Sequence, residues 1–156
     1  MPQKTCCFTG HRVIPPEKFM YVRARLDEEV AKAVEQGFDT FCTGGALGFD
    51  TQAALSVLAA KLLNPKIKLV LILPCKEQAK SWSELDRQNY EMIISRADEV
   101  TYVSESYTRY CMHMRNCALV DRSSRCIAYL EQNTGGTAFT TKYAKKKGVE
   151  VINIIE

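Results

Sequence analysis

An α/β fold, with an open, mainly parallel sheet and helices on both faces, is what this chain of 156 residues predicts. Three observations carry it. Short apolar runs alternate regularly with helix-length segments, and that alternation calls for right-handed crossovers between parallel strands. The run Lys68–Leu73, KLVLIL, is almost wholly aliphatic, as expected of a strand covered on both faces. Turns rich in glycine and polar residues follow the first, second and fifth runs, where strand ends meet helix starts.

Taken in order, residues 5–8 form a short apolar strand that breaks at the tight turn Thr9-Gly10-His11-Arg12. Pro15-Pro16 opens a helix whose apolar residues Phe19, Val22, Leu26, Val30 and Ala33 recur at helical spacing, and Gly37 is placed to cap it. Residues 40–43 are a second strand. Gly44-Gly45-Ala46-Leu47-Gly48 then turns into a second helix, which runs to about Leu63 and stops at Asn64-Pro65. Pro74 ends the third strand. A more polar helix is expected within residues 77–95, carrying the lone Trp82, and residues 99–103 make a fourth strand. A loop rich in Ser and Tyr, 104–111, leads into a helix near residues 113–121. Residues 125–130 are a fifth strand, 133–137 a second glycine turn, 138–147 a fifth helix and 149–154 a last strand. Lys145-Lys146-Lys147 falls in the last turn of that fifth helix, where positive charge complements the helix dipole.

The size fits a single domain over residues 1–156, and 46% apolar with 25% charged residues is ordinary globular composition. The net charge of +3 is slight and scattered, which argues against a dedicated duplex-DNA binder and gives no sign of a nucleic-acid partner. The start MPQKTCCF lacks an apolar leader core, and no apolar run approaches bilayer length, so a soluble cytoplasmic protein without membrane contact is expected. Seven cysteines form no C-x-x-C pair. Cys6, Cys7, Cys42 and Cys126 sit in strand-like runs as small buried hydrophobes, leaving Cys75, Cys111 and Cys117 as the thiols to consider for chemistry. No metal-ligand set emerges, because Cys111 and His113 are too few. No cofactor is identified.

In an open parallel sheet, ligands bind outside the carboxyl ends of the strands. The turns Thr9–Arg12, Thr43–Asp50 and Thr134–Thr140 all open onto that edge, which points to a small phosphate-bearing or nucleotide ligand held by backbone N–H groups. Neither standard nucleotide fingerprint is met. Thr43 occupies the first glycine position of G-x-G-x-x-G, and no G-x-x-x-x-G-K-[ST] occurs.

TGHR after the first strand and CTGGALGFD after the second resemble the SLOG superfamily, in particular its YpsA-like branch. The match extends to Pro74-Cys75-Lys76-Glu77-Gln78 with Trp82, to Met112-His113-Met114-Arg115-Asn116 and to Gly135-Gly136-Thr137. The resemblance implies a Rossmann-like sheet and a nucleotide or nucleotide-derived ligand, such as an ADP-ribose-like metabolite, bound by a sensor without chemistry of its own. The ligand residues it implies are Thr9, Gly10, His11, Arg12, Thr43, Gly44, Gly45, Gly48, Gln78, Trp82, Gly135, Gly136, Thr137 and Thr140. Two relatives pull in other directions. In the LOG phosphoribohydrolases, M-H-x-R-K is followed by P-G-G-x-G-T-x-x-E; here Asn116 replaces the Lys, Thr134 the Pro, and the Glu position falls on Lys142 or Thr140. The implied alternative is a nucleotide N-glycosidase in which Asp50 and Arg115 stand in as acid/base and phosphate-orienting groups. LOG-like proteins pair through helices, so a homodimer is implied as well. DprA-type DNA-processing proteins resemble the first half alone, which implies a second alternative, an accessory protein for single-stranded DNA.

Each side chain also has a plainer role open to it. Asp50 in the first turn of a helix meets the dipole and free N–H groups whether or not a ligand is present. Arg115 fits a solvated helix surface, His11 a turn residue bonded to backbone, His113 a packed residue and Trp82 a core residue. Alternatively, Gln78 and Trp82, one turn apart on one helix face, wall a base pocket.

Overall fold

The computed structural model describes residues 4–155. Six strands, β1 (Thr5–Gly10), β2 (Thr40–Thr43), β3 (Lys68–Leu73), β4 (Glu99–Tyr102), β5 (Arg125–Tyr129) and β6 (Glu150–Asn153), form one sheet in the order β4-β3-β2-β1-β5-β6. Every pairing is parallel. Between them run α1 (Phe19–Glu35), α2 (Phe49–Leu63), α3 (Glu84–Arg96), α4 (Cys111–Asp121) and α5 (Gly136–Lys146). The fold is thus an α/β, Rossmann-like open sheet.

Alternation along the strands sorts the core into two layers. Cys6, Phe8, Phe41, Leu69, Leu71, Leu73, Ile127 and Tyr129 face α1, α2 and α3, whose Leu26, Val30, Phe49, Val57 and Ile93 complete that layer. Their neighbours Cys7, Cys42, Val70, Ile72 and Cys126 face α4 and α5 and meet Leu119, Val120 and Ala144. The three cysteines on that side are small enough for the helices to pack close.

The polar third helix differs from its expected span. Residues 76–81 form turns, and α3 begins only at Glu84, where the Ser83 hydroxyl accepts a hydrogen bond of 3.1 Å from the Asp86 N–H. Ser83-x-x-Asp86 is itself an N-cap signal, and it outweighs the polar residues before it. Gln78 and Trp82 therefore lie in a turn and do not share a helix face.

Strand order decides where a ligand can sit. From β1 the chain builds outward through β2, β3 and β4, then returns to place β5 on the other side of β1. The connections after β1 and β5 leave toward opposite faces at this point, and a crevice opens at the strand ends between them.

Candidate functional site

A cleft of about 310 Å³ occupies that crevice. Phe8, Thr9, Gly10, His11 and Arg12 line it from β1; Ala46 and Asp50 from the turn before α2 and its first residues; Gln132, Thr134, Gly135, Gly136 and Thr137 from the turn after β5. Met112, Arg115, Asn116 and Leu119 of α4 form the remaining wall. These four are spaced i, i+3, i+4, i+7, one helix face, so a helical-wheel reading of α4 could have found the three besides Arg115. Gln132 and Thr134 carry no such signal.

Two of the turns are fastened together. The Phe49 N–H donates to the His11 carbonyl at 3.1 Å, and the Phe49 ring lies against Gly10, where a side chain would collide with it. Gly48, at φ +76°, brings α2 so near the first turn that a methyl group there would strike the Arg12 carbonyl. Gly48 thus serves this close approach. It does not line the cleft.

Asp50 and Arg115 face the cleft from opposite walls, and both are buried, at 6% and 5% exposure. Burial pushes the Asp50 carboxyl up to about 6, against the pull of the Arg115 charge, the hydrogen bond from the Ala46 N–H to Oδ2 (3.2 Å) and the Arg12 charge. Burial likewise lowers the Arg115 pKa, which Asp50 partly restores and Arg12 depresses further. Arg115 donates through Nη1 to the Gly44 carbonyl at 2.5 Å and to Gln78 Oε1 at 3.3 Å, and through Nε to Asn116 Oδ1 at 2.8 Å. Its Nη2 finds only the Met112 sulfur, at 3.6 Å. Among the described residues, no carboxylate lies within 4 Å of this guanidinium. Arg12 is exposed beside it, with its Nη2 3.9 Å from the same sulfur.

The other expected ligand residues divide. Gly135, at φ +95°, ends the third turn and leads into α5 with no side-chain cap, so the first-turn N–H groups of Gly136 and Thr137 present the positive end of a helix dipole to the cleft. Thr43, Gly44, Gly45 and Thr140 do not line it. Gly44 sits under the Arg115 side chain, Gly45 against Leu73, and the Thr140 hydroxyl donates to the Gly136 carbonyl at 2.8 Å. The buried Thr43 hydroxyl has no hydrogen-bond partner. Gln78 is a buried hub, donating to the Gly44 carbonyl (3.3 Å) and the Tyr90 hydroxyl (3.2 Å) while accepting from Arg115. With Trp82, Leu47, Ala46, Arg12 and Met112 it borders a recess of about 30 Å³ that shares Arg12, Ala46 and Met112 with the cleft. The Trp82 ring meets Tyr90 edge-on, 5.1 Å between centroids.

His11 stands at the cleft edge, its ring edge-on to Tyr129 at 5.2 Å. Its Nε2 accepts the Glu131 N–H at 2.8 Å, which assigns the neutral ring's proton to Nδ1. Burial lowers its pKa, with Glu131 opposing. The Glu131 carboxylate is in turn held by Lys18 and the Tyr129 hydroxyl, an anchor for the third turn that the sequence did not reveal. His113 lies outside the cleft, its ring tilted against Phe139 with 4.4 Å between centroids.

Cys75 and Cys111, expected near loops, are fully buried; their position under the turns removes them from solvent chemistry, and burial raises the Cys75 thiol pKa. Cys117 alone of the three is partly exposed. Among the described residues no group of three His, Cys, Asp or Glu side chains could hold a metal ion, and no helix is long and apolar enough to cross a membrane.

The YpsA family model (YspA SLOG family) matches residues 15–154. A UPF0398 protein of Bacillus cereus strain G9842 is 30% identical over 132 residues, covering 81% of this chain and 71% of that protein. Two solved structures of DNA processing protein A are similar in fold. The Helicobacter pylori protein, described with a single-stranded DNA binding mode, gives a TM-score of 0.69 at 16% identity over 95% of this chain. The Streptococcus pneumoniae protein gives 0.68 at 15% identity over 96%. The chain spans 63% and 49% of those two proteins, respectively.

Proposed function

The chain belongs to the YspA SLOG family, and on that premise we propose that it binds a nucleotide or nucleotide-derived small molecule in the cleft over β1 and β5, as a sensor of that ligand. The observation that carries the proposal is Arg115. A guanidinium 95% removed from solvent, with the Asp50 charge acting on it but no carboxylate within 4 Å among the described residues, is costly to hold, and a bound phosphate supplies an anion with charge-assisted hydrogen bonds. Arg12 adds a second positive group at the mouth, and the uncapped start of α5 adds backbone donors.

Two further readings each have one supporting observation. A carboxyl near pKa 6 in the same cleft as two arginines is poised for acid/base chemistry, which favours an N-glycosidase built on Asp50 and Arg115. The likeness in fold to DNA processing protein A favours a phosphate-tracking site for single-stranded DNA.

A thermal-shift panel of inorganic phosphate, nucleoside mono- and diphosphates, ADP-ribose and a short single-stranded oligonucleotide tests all three. Binding to the folded state raises the melting temperature with ligand concentration, by about 2.7 kcal/mol of stability at a hundredfold excess over Kd. A rise with a nucleotide, and intact nucleotide recovered afterwards, is expected. Release of free base supports the hydrolase, and a salt-sensitive response to the oligonucleotide alone supports the DNA reading. No response to any small nucleotide contradicts the proposal.

A further inference from the structure

The cleft is not uniformly suited to anions. It holds the Arg115 and Arg12 guanidiniums and the start of α5, and yet Asp50 lines it too. Asp50 is 94% buried; its Oδ2 accepts the Ala46 N–H at 3.2 Å, while Oδ1 has no hydrogen-bond partner among the described residues. A carboxylate can accept several hydrogen bonds, and Oδ1, on a residue that lines the cleft, keeps that capacity for a ligand. A phosphate placed against Asp50 would be repelled. What fits there is a neutral donor carried a short distance from the phosphate on the same ligand.

We propose that Asp50 accepts the sugar hydroxyls of the ligand, so that the cleft selects a single phosphorylated ribose, with the phosphate on Arg12, Arg115 and the start of α5. This deepens the nucleotide reading of the site and rests on it. Size supports the choice of unit: about 310 Å³ is at the small end of the ~300–1,000 Å³ typical of ligand sites, so one nucleoside monophosphate is held and the second half of an ADP-ribose-type compound lies outside. The neighbouring recess that carries Trp82, with Leu47 and Met112, is not bordered by Asp50, and at about 30 Å³ it cannot enclose a base. Ionised, the carboxylate accepts hydroxyls through charge-assisted bonds; protonated, it offers only weaker neutral acceptor capacity and an O–H donor. With its pKa about 6, and facing Arg115, Arg12 and the Ala46 N–H, Asp50 is a carboxylate at pH 7.5 and largely protonated at pH 5.

The test is calorimetric titration at pH 7.5 with ribose 5-phosphate, the four ribonucleoside 5′-monophosphates, their 2′,3′-dideoxy counterparts and inorganic phosphate. A hydrogen bond to a charged acceptor is worth about 1.5–3 kcal/mol, so ribonucleotides bind on the order of tenfold to a hundredfold tighter than the dideoxy compounds. Asp50→Asn keeps an oxygen for the Ala46 N–H and replaces the other by a donor. It brings the ratio to within about threefold while leaving inorganic phosphate bound at least as tightly, and that retained binding also shows the variant is folded. The wild-type ratio falls in the same way at pH 5; because both ligands carry the same phosphate, titration of that phosphate cancels from the ratio. Equal binding of ribo- and dideoxynucleotides overturns the inference and leaves the nucleotide site standing. Discrimination by base alone, with ribose 5-phosphate inert, overturns it too, since Asp50 would then read a base. Failure of every phosphate compound removes the nucleotide site itself.

Discussion

Burial moves the Asp50 carboxyl from 3.8 to about 6, which amounts to roughly 3 kcal/mol against the ionised form in the folded protein. Because the folded pKa lies above the unfolded one, Asp50 is neutral in both states below about pH 4, and the stability present there is lost as pH rises through 6. Asp50→Asn removes that loss. The variant is expected to melt above the wild type at pH 8, with the gain shrinking to nothing below about pH 4; equal melting temperatures at pH 8 would show that the carboxylate is not penalised. At this scale the sequence was informative where chemistry is local. The chain around Asp50 marks a helix start after a strand, and Arg115 stands in a recognisable string. Gln78 was not legible as a hub, since its partners Gly44, Tyr90 and Arg115 are 34, 12 and 37 positions away and meet it only in the folded chain.

Among the elements, the glycine turns look alike in sequence and differ in structure. Gly48 and Gly135 both have positive φ, where alanine is strained by about 1–2 kcal/mol. A methyl group at Gly135 meets nothing within 4 Å, whereas at Gly48 it collides with the Arg12 backbone. Urea denaturation is expected to show Gly135→Ala losing about 1–2 kcal/mol and Gly48→Ala more than about 3, through separation of the first turn from α2. Similar losses would mean that the two turns are not fastened. Helical spacing marked α1, and the turns and breaks between strands marked the other four helices. The start of α3 was misplaced because residues 76–81 are as polar as a helix surface yet are held by turns, and only the Ser83 cap distinguishes the two.

For the whole molecule, alternation of strands and helices made a parallel sheet legible, but nothing local encodes the order β4-β3-β2-β1-β5-β6. That order brings the turn after β5 beside the turn after β1, and it carries α4 across to supply Arg115, Met112 and Asn116. The site is thus a product of topology: residues a hundred positions apart, such as Arg12 and Met112, border one cleft. The two arginines differ in what a substitution reveals. Arg115 is tied to Gly44, Gln78 and Asn116, so its loss disturbs the turns, whereas Arg12 is exposed and can be changed with the fold intact. The most direct measurement is therefore the affinity of wild type and Arg12→Gln for nucleoside 5′-monophosphates by calorimetry at pH 7.5 and fixed salt. A cleft that holds phosphate predicts saturable binding, weakened at least tenfold in Arg12→Gln with its melting temperature unchanged. Equal affinity in the two proteins, or none in either, would contradict it.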